Sequence, residues 1–215
     1  MAGNYNKHDN KLTQILLPPE RPTAQIVGAM LTKAFSVLFL IFLLSESVWA
    51  LPARVLIIRH AEKPVEDSID LSLKGFRRAS ALTQLFEIHP EYAKFGLPDF
   101  MFAARYVPGR SSMRSVQTLS PLSYSLGLDL NDEWTSEESK DLGNEIRRNP
   151  EYNNKVIMLA WKHSEITTIT EALKAPCKSS WASKVYDRIW IIDFKNGEAT
   201  CKDSPQSVLP DDSDK

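Results

Sequence analysis

Val55-Leu56-Ile57-Ile58-Arg59-His60-Ala61-Glu62-Lys63-Pro64 is the stretch that decides the reading of this chain. Its first half is a short β-branched apolar run with no polar alternation, the pattern of a strand buried on both faces. Its second half is a charged cluster that begins where the strand must end. Open α/β sheets place their ligand crevices at the carboxyl ends of parallel strands. An arginine and a histidine side by side at such an end can grip an anion and attack it. Histidine is scarce here, four in 215 residues, and a second one, His163, follows another buried run, Val156 to Trp161. Two imidazoles, each just past a strand, point to one shared pocket.

Outward from that stretch, strand and helix signals alternate. Residues 54–59 read as a strand. Ser72 to Glu87 carries helical periodicity, with Leu73, Phe76, Ala79, Leu82 and Phe86 on one stripe and Ser72 placed to cap it. Asp99–Ala104 reads as a second strand, and Ser112–Leu126 as a helix interrupted or kinked by Pro121. Glu137–Arg148 reads as a polar surface helix, Lys155–Trp161 as a third strand, Glu165–Leu173 as the helix after it, and Arg188–Phe194 as a last strand. Residues 204–215 are rich in Pro, Ser and Asp and read as a flexible, frayed acidic tail. Alternation of this kind predicts a three-layer α/β/α sandwich around a mainly parallel sheet, formed by residues 51–203. Right-handed crossovers bring the ends of the first three strands to one edge.

The N-terminal 50 residues stand apart. Ala34–Ser45 is uncharged and apolar, follows Lys33, and is too short for a membrane span of about twenty residues. Val48 and Ala50 supply small residues for a cleavage site before Leu51. Residues 1–50 therefore read as a leader and signal peptide, with Met30 as a candidate true start, in a secreted or periplasmic protein with no stable membrane span after cleavage. An uncleaved anchor and a buried helix are the alternatives. Export permits a Cys177–Cys201 disulfide. The formal net charge of −1 leaves no broad field for nucleic acid or an anionic membrane, so any anion must be held by a local cluster.

Such a cluster is available. The three strand ends offer Arg59, His60, Glu62 and Lys63; Arg105, Arg110 and Arg114; and Lys162, His163 and Glu165. Guanidinium forks bind phosphate oxygens in pairs, and Arg114 falls in the first turn of its helix, beside free backbone N–H groups.

With these residues together, the chain resembles the histidine phosphatase superfamily, the phosphoglycerate mutase-like proteins. Arg59-His60-Ala61 is similar to the family's Arg-His-Gly/Ala element. Leu71-Ser72-Leu73-Lys74-Gly75-Phe76-Arg77-Arg78-Ala79 resembles its following helix. Arg114 through Thr118, with Pro121-Leu122 and Leu126-Gly127-Leu128, resembles its central segment, and His163-Ser164 its second histidine element. The resemblance implies that His60 attacks a phosphoryl group and becomes a phosphohistidine. It implies that Arg59, Arg114 and His163 hold the equatorial oxygens, and that no metal or other cofactor is needed. Lys63 and Arg110 are candidate contacts to a small phosphorylated substrate. Lys162 stands where the family usually has glycine, and the segment Arg105–Arg110 is an addition.

The proton donor is not fixed by the pattern. Glu138 is the first choice, with Glu137 beside it and Glu62 and Glu165 as the others. Two further readings compete with a phosphatase. His60-x-Glu62 and His163-x-Glu165 could bind a divalent metal, although the flanking cations oppose it. A chain that lacks the acid could also be an exported module that binds phospholigands without turnover.

Overall fold

A computed structural model describes residues 51–213. The expected signal peptide and the candidate Met30 start fall in residues 1–50, outside the described residues. Six strands form one sheet: β1 (Arg54–Arg59), β2 (Phe100–Ala103), β3 (Leu130–Asn131), β4 (Val156–Trp161), β5 (Arg188–Lys195) and β6 (Glu198–Pro205), in the order β3-β2-β4-β1-β5-β6. The pairs β1·β4, β4·β2 and β2·β3 are parallel, and β1·β5 and β5·β6 are antiparallel. The sheet is thus parallel from β3 to β1, with an antiparallel hairpin along one side. Asn196 (φ 54°) and Gly197 (φ 83°) turn that hairpin, the left-handed pair that an Asn-Gly corner accommodates.

The helices are α1 (Leu73–Ala81), α2 (Leu85–Ile88), α3 (Arg114–Leu126), α4 (Ser139–Arg148) and α5 (His163–Ala172). β1 is buried along its whole length, and its side chains alternate between two cores. Val55 and Ile57 pack with Leu142, Ile146, Ile166 and Ile169 of α4 and α5. Leu56 and Ile58 pack with Leu82, Leu85, Leu119 and Leu122 on the other face. Helices therefore cover both faces of a mainly parallel sheet, the α/β/α sandwich that the alternation predicts.

Several boundaries differ from the sequence reading. The single helix expected over residues 72–87 is divided by a 3₁₀ turn at Leu82–Gln84 into α1 and α2. Helix α3 runs on through Pro121, which is half-buried and forgoes one hydrogen bond. The acidic start of the helix expected from Glu137 is a 3₁₀ turn, Ser136–Glu138. The largest correction concerns the tail. Ser204 and Pro205 belong to β6, and Gln206 is fully buried. Asp212 lies against the Arg78 guanidinium at 2.6 and 2.9 Å. A buried arginine needs carboxylates, and the acidic residues that made the segment look frayed are what dock it.

Candidate active site

The parallel register sets the site. Arg59 lies opposite Trp161, and Ala160 opposite Ala103, so the residues after β1, β4 and β2 emerge side by side. The His60 N–H donates to the Trp161 carbonyl at 2.9 Å, and the Ala104 N–H to that of Ala160 at 3.3 Å. These bonds extend the ladder one residue beyond the strands. A cavity of about 450 Å³ opens at this edge, a volume suited to a small molecule. Arg59, His60, Lys63, Arg105, Arg110, Arg114, Lys162 and His163 all line it.

His60 is buried, with its Nδ1 2.8 Å from the Ala61 carbonyl. A carbonyl can only accept, so Nδ1 carries the proton and Nε2 keeps its lone pair. Burial pushes the His60 pKa down to about 3; the Ala61 carbonyl opposes this, and the charges of Arg59, Arg114 and His163 add to it. The imidazole is thereby held neutral, the state a nucleophile needs.

Arg59 is gripped from behind. Its Nη1 donates to the carbonyls of Ser183 and, at 3.4 Å, Val185, and its Nη2 donates to the Tyr186 hydroxyl at 3.1 Å. The Tyr186 ring lies 3.8 Å from the guanidinium carbon. Burial lowers the Arg59 pKa, but an arginine keeps its charge at any physiological pH. Arg59 Nε, Arg114 Nε and His163 Nδ1 are buried polar atoms without a hydrogen-bond partner. Such atoms are costly unless something accepts from them, and three at one cavity mark a place for an anion. Burial, then Arg59, Lys162 and Lys63, lowers the His163 pKa against a smaller effect of Glu165.

The loop between β1 and α1 is tied to the start of α3. Thr118 Oγ1 accepts from the Ala61 N–H at 2.8 Å and donates to the Arg114 carbonyl at 2.6 Å. Gln117 accepts from the Leu71 N–H at 2.9 Å and donates to Asp70 at 2.6 Å. The two resembling segments, residues 59–79 and 114–128, therefore meet through Thr118 and Gln117. Ser111, Ser112, Ser115 and Ser136 also line the cavity, as does Asp67. None of these was singled out from sequence, because a serine or a lone aspartate in a loop carries no periodic signal.

Glu138 requires a correction. It does not line the cavity. Its carboxylate accepts from the backbone N–H and the hydroxyl of Thr135, both at 2.8 Å, closing a capping box at the turn. Those two bonds, backbone first, hold its pKa below the usual range, the reverse of what a proton donor needs. Glu137 is turned to Arg110 at 3.5 Å, on the exposed rim. Glu62 is engaged by Arg78 at 2.8–3.1 Å, so it is not a free acid, nor a metal ligand beside His60. Among the described residues no three His, Cys, Asp or Glu side chains group as a metal site. No helix there is long and apolar enough to cross a membrane.

Cys177 and Cys201 form a disulfide, Cα–Cα 5.1 Å. It joins the loop that leads to Ser183 and Tyr186 to strand β6.

No protein-family model and no curated protein matches the sequence. Among solved structures, the protein histidine phosphatase SixA complexed with tungstate superposes with a TM-score of 0.46 at 13% identity, over 71% of this chain and 97% of that one. A protein described as mycobacterial hydrolase 2 gives 0.42 at 12% identity, over 70% of this chain and 88% of the other. At these levels the chemistry has to rest on the side chains themselves.

Proposed function

We propose that this protein is a metal-independent phosphatase that hydrolyses a phosphomonoester or phosphoanhydride through a phosphohistidine at His60. The observation that carries the reading is the convergence of a neutral, tautomer-fixed His60 with unpartnered donors of Arg59, Arg114 and His163 at one cavity. His60 Nε2 attacks phosphorus, a P–N bond forms, and the P–O bond to the leaving group breaks with its electron pair going to that oxygen. Arg59, Arg114 and the N-terminal turn of α3 hold the equatorial oxygens as charge shifts onto them. The leaving oxygen takes a proton from solvent; water then attacks phosphorus and returns a proton to solvent, the P–N bond breaks with its electron pair going back to Nε2, and inorganic phosphate leaves with His60 neutral again. We further propose that the chain is exported and cleaved before Leu51, which N-terminal sequencing of the mature protein checks.

One observation favours a second reading. Among the described residues, Asp67 is the only carboxylate lining the cavity, and it is exposed, so no buried proton donor is found there. A module that binds a phospholigand without turnover would tolerate that.

A panel of phosphomonoesters and phosphoanhydrides assayed with wild type and His60→Ala separates the two. The phosphatase reading expects hydrolysis and an acid-labile protein-bound phosphate in wild type, both absent from His60→Ala. Phosphate binding with no hydrolysis of any substrate in the panel would favour the binding module.

A further inference from the structure

The cavity holds more positive charge than one phosphoryl group can use. Among the described residues, six cationic side chains line it against the single carboxylate of Asp67. Arg59 and Arg114 suffice for a phosphoryl dianion. Arg110 is shared with Glu137 at 3.5 Å. Lys63, Arg105 and Lys162 remain, all exposed. Among the described residues, none of these three side chains makes a hydrogen bond or ion pair. In a chain of net charge −1 this is not a general basic character but a local excess. Like charges gathered in excess of their counter-charge repel one another, and an anionic ligand relieves that repulsion.

The excess also reaches His163. Lys63 and Lys162 line the same cavity as His163, and the charges of both lower its pKa. They come from different strand ends, after β1 and before α5, and neither belongs to the group that meets the phosphoryl oxygens. Lys162 sits immediately before His163 in the chain, and both line the cavity. The cavity volume of about 450 Å³ leaves room beyond one tetrahedral anion.

Resting on the phosphatase reading above, we infer that the substrate carries a second anionic group, a phosphate or a carboxylate, within a few bonds of the scissile phosphoryl, and that Lys63 and Lys162 receive it beside His163. The substrate class is thus an anionic organic phosphate rather than a monoester of a neutral alcohol. Both lysines are point charges on flexible stems, suited to either type of anion without the geometric demand of a guanidinium fork.

Binding of hydrolytically inert probes tests this without requiring turnover. Calorimetry at low ionic strength, with a chelator present to remove divalent ions, compares methylphosphonate, phosphonoacetate and methylenediphosphonate. The inference expects at least one of the latter two to bind about tenfold or more tightly than methylphosphonate, the scale of one or two exposed charges in contact. Which one does so distinguishes a carboxylate from a second phosphate. The preference shrinks in Lys63→Ala/Lys162→Ala and at high salt. Equal affinities for the three probes, a preference untouched by the double variant, or no binding of any probe would overturn it. Equal affinities alongside a phosphohistidine that depends on His60 would refute the second anion while leaving the phosphatase intact. Tight, lysine-dependent binding of a dianionic probe without hydrolysis of the panel would do the opposite.

Discussion

His60 shows how a single side chain is prepared by its surroundings. Burial comes first, the Ala61 carbonyl opposes it, and Arg59, Arg114 and His163 add to it, bringing its pKa to about 3 from an ordinary 6.5. An unperturbed imidazole loses roughly twentyfold of its neutral form between about pH 7 and pH 5. His60 keeps nearly all of it. The expected outcome is a kcat/KM that, corrected for substrate ionisation, stays within about threefold over that range, because this parameter reports the free enzyme. A fall with an apparent pKa near 6 would contradict the environment described for His60. The same shift has a stability consequence. Between pH 6.5 and about 3 the unfolded His60 binds a proton that the folded one refuses, so its contribution to stability, present above pH 6.5, drains away as pH falls through that window. At this scale the sequence was partly legible. Arg59, His60, Arg114 and His163 were visible because each sits where an apolar run stops or a helix starts. Glu138 misled, because an acidic pair ahead of a helix looks the same whether it faces a cavity or caps a turn. Tyr186, 127 residues from Arg59, left no local trace at all.

The elements explain why those side chains meet. Gly75 lies in the first turn of α1, and a Cβ there would come 2.4 Å from the Glu62 carbonyl oxygen and 3.1 Å from the Glu62 nitrogen. Both are backbone atoms and cannot swing aside. That carbonyl also accepts from the Ser72 N–H at 2.8 Å, so α1 and the residues just after His60 are in direct backbone contact. Gly75→Ala should therefore cost about 1–3 kcal/mol of stability by overpacking. It should lower kcat as well, since the displaced segment carries His60. Denaturant unfolding together with kinetics checks both, and an unchanged midpoint would show that α1 moves freely. Thr118→Val tests the other anchor of the same loop. It leaves the Ala61 N–H buried without an acceptor, at a cost of about 1–3 kcal/mol. The buried parallel strands were readable because continuous apolar runs admit few alternatives. β3, two residues long, and β6, whose residues alternate between exposed and partly buried, were not. An edge strand needs only one covered face, so its apolar content falls below what periodicity can detect.

At the scale of the whole molecule, the antiparallel side of the sheet braces the edge that carries the cavity through two segments to which the sequence assigned no role there. The tail brings Gln206 and Asp212 to Arg78, which in turn holds Glu62, two residues from His60. The loop after α5 brings the Ser183 and Val185 carbonyls and Tyr186 to Arg59. That loop is secured by Trp181 packed on Trp190 of β5, ring centroids 4.9 Å apart, and by Cys177 bonded to Cys201 on β6. The disulfide closes a loop of sequence separation 24, for which the chain-entropy model gives about 3 kcal/mol of stabilisation. The loop it encloses includes every hydrogen-bond partner of the Arg59 guanidinium among the described residues. Loss of the bond therefore has two separable effects. Global stability should fall by about 3 kcal/mol, read as a lower denaturation midpoint in Cys177→Ser/Cys201→Ser or after reduction. Well below that midpoint, where the protein is still folded, KM for a phosphorylated substrate should rise, because Arg59 loses the fixed orientation that spares it an ordering cost on binding. Tyr186→Phe provides the internal control. It removes one hydroxyl contact to Arg59 and leaves the bridge in place, so it should raise KM with little change in midpoint. A disulfide variant with a lower midpoint and an unaltered KM would show that the loop keeps its grip on Arg59 through Trp181 alone, and that the bridge serves stability without reaching the site.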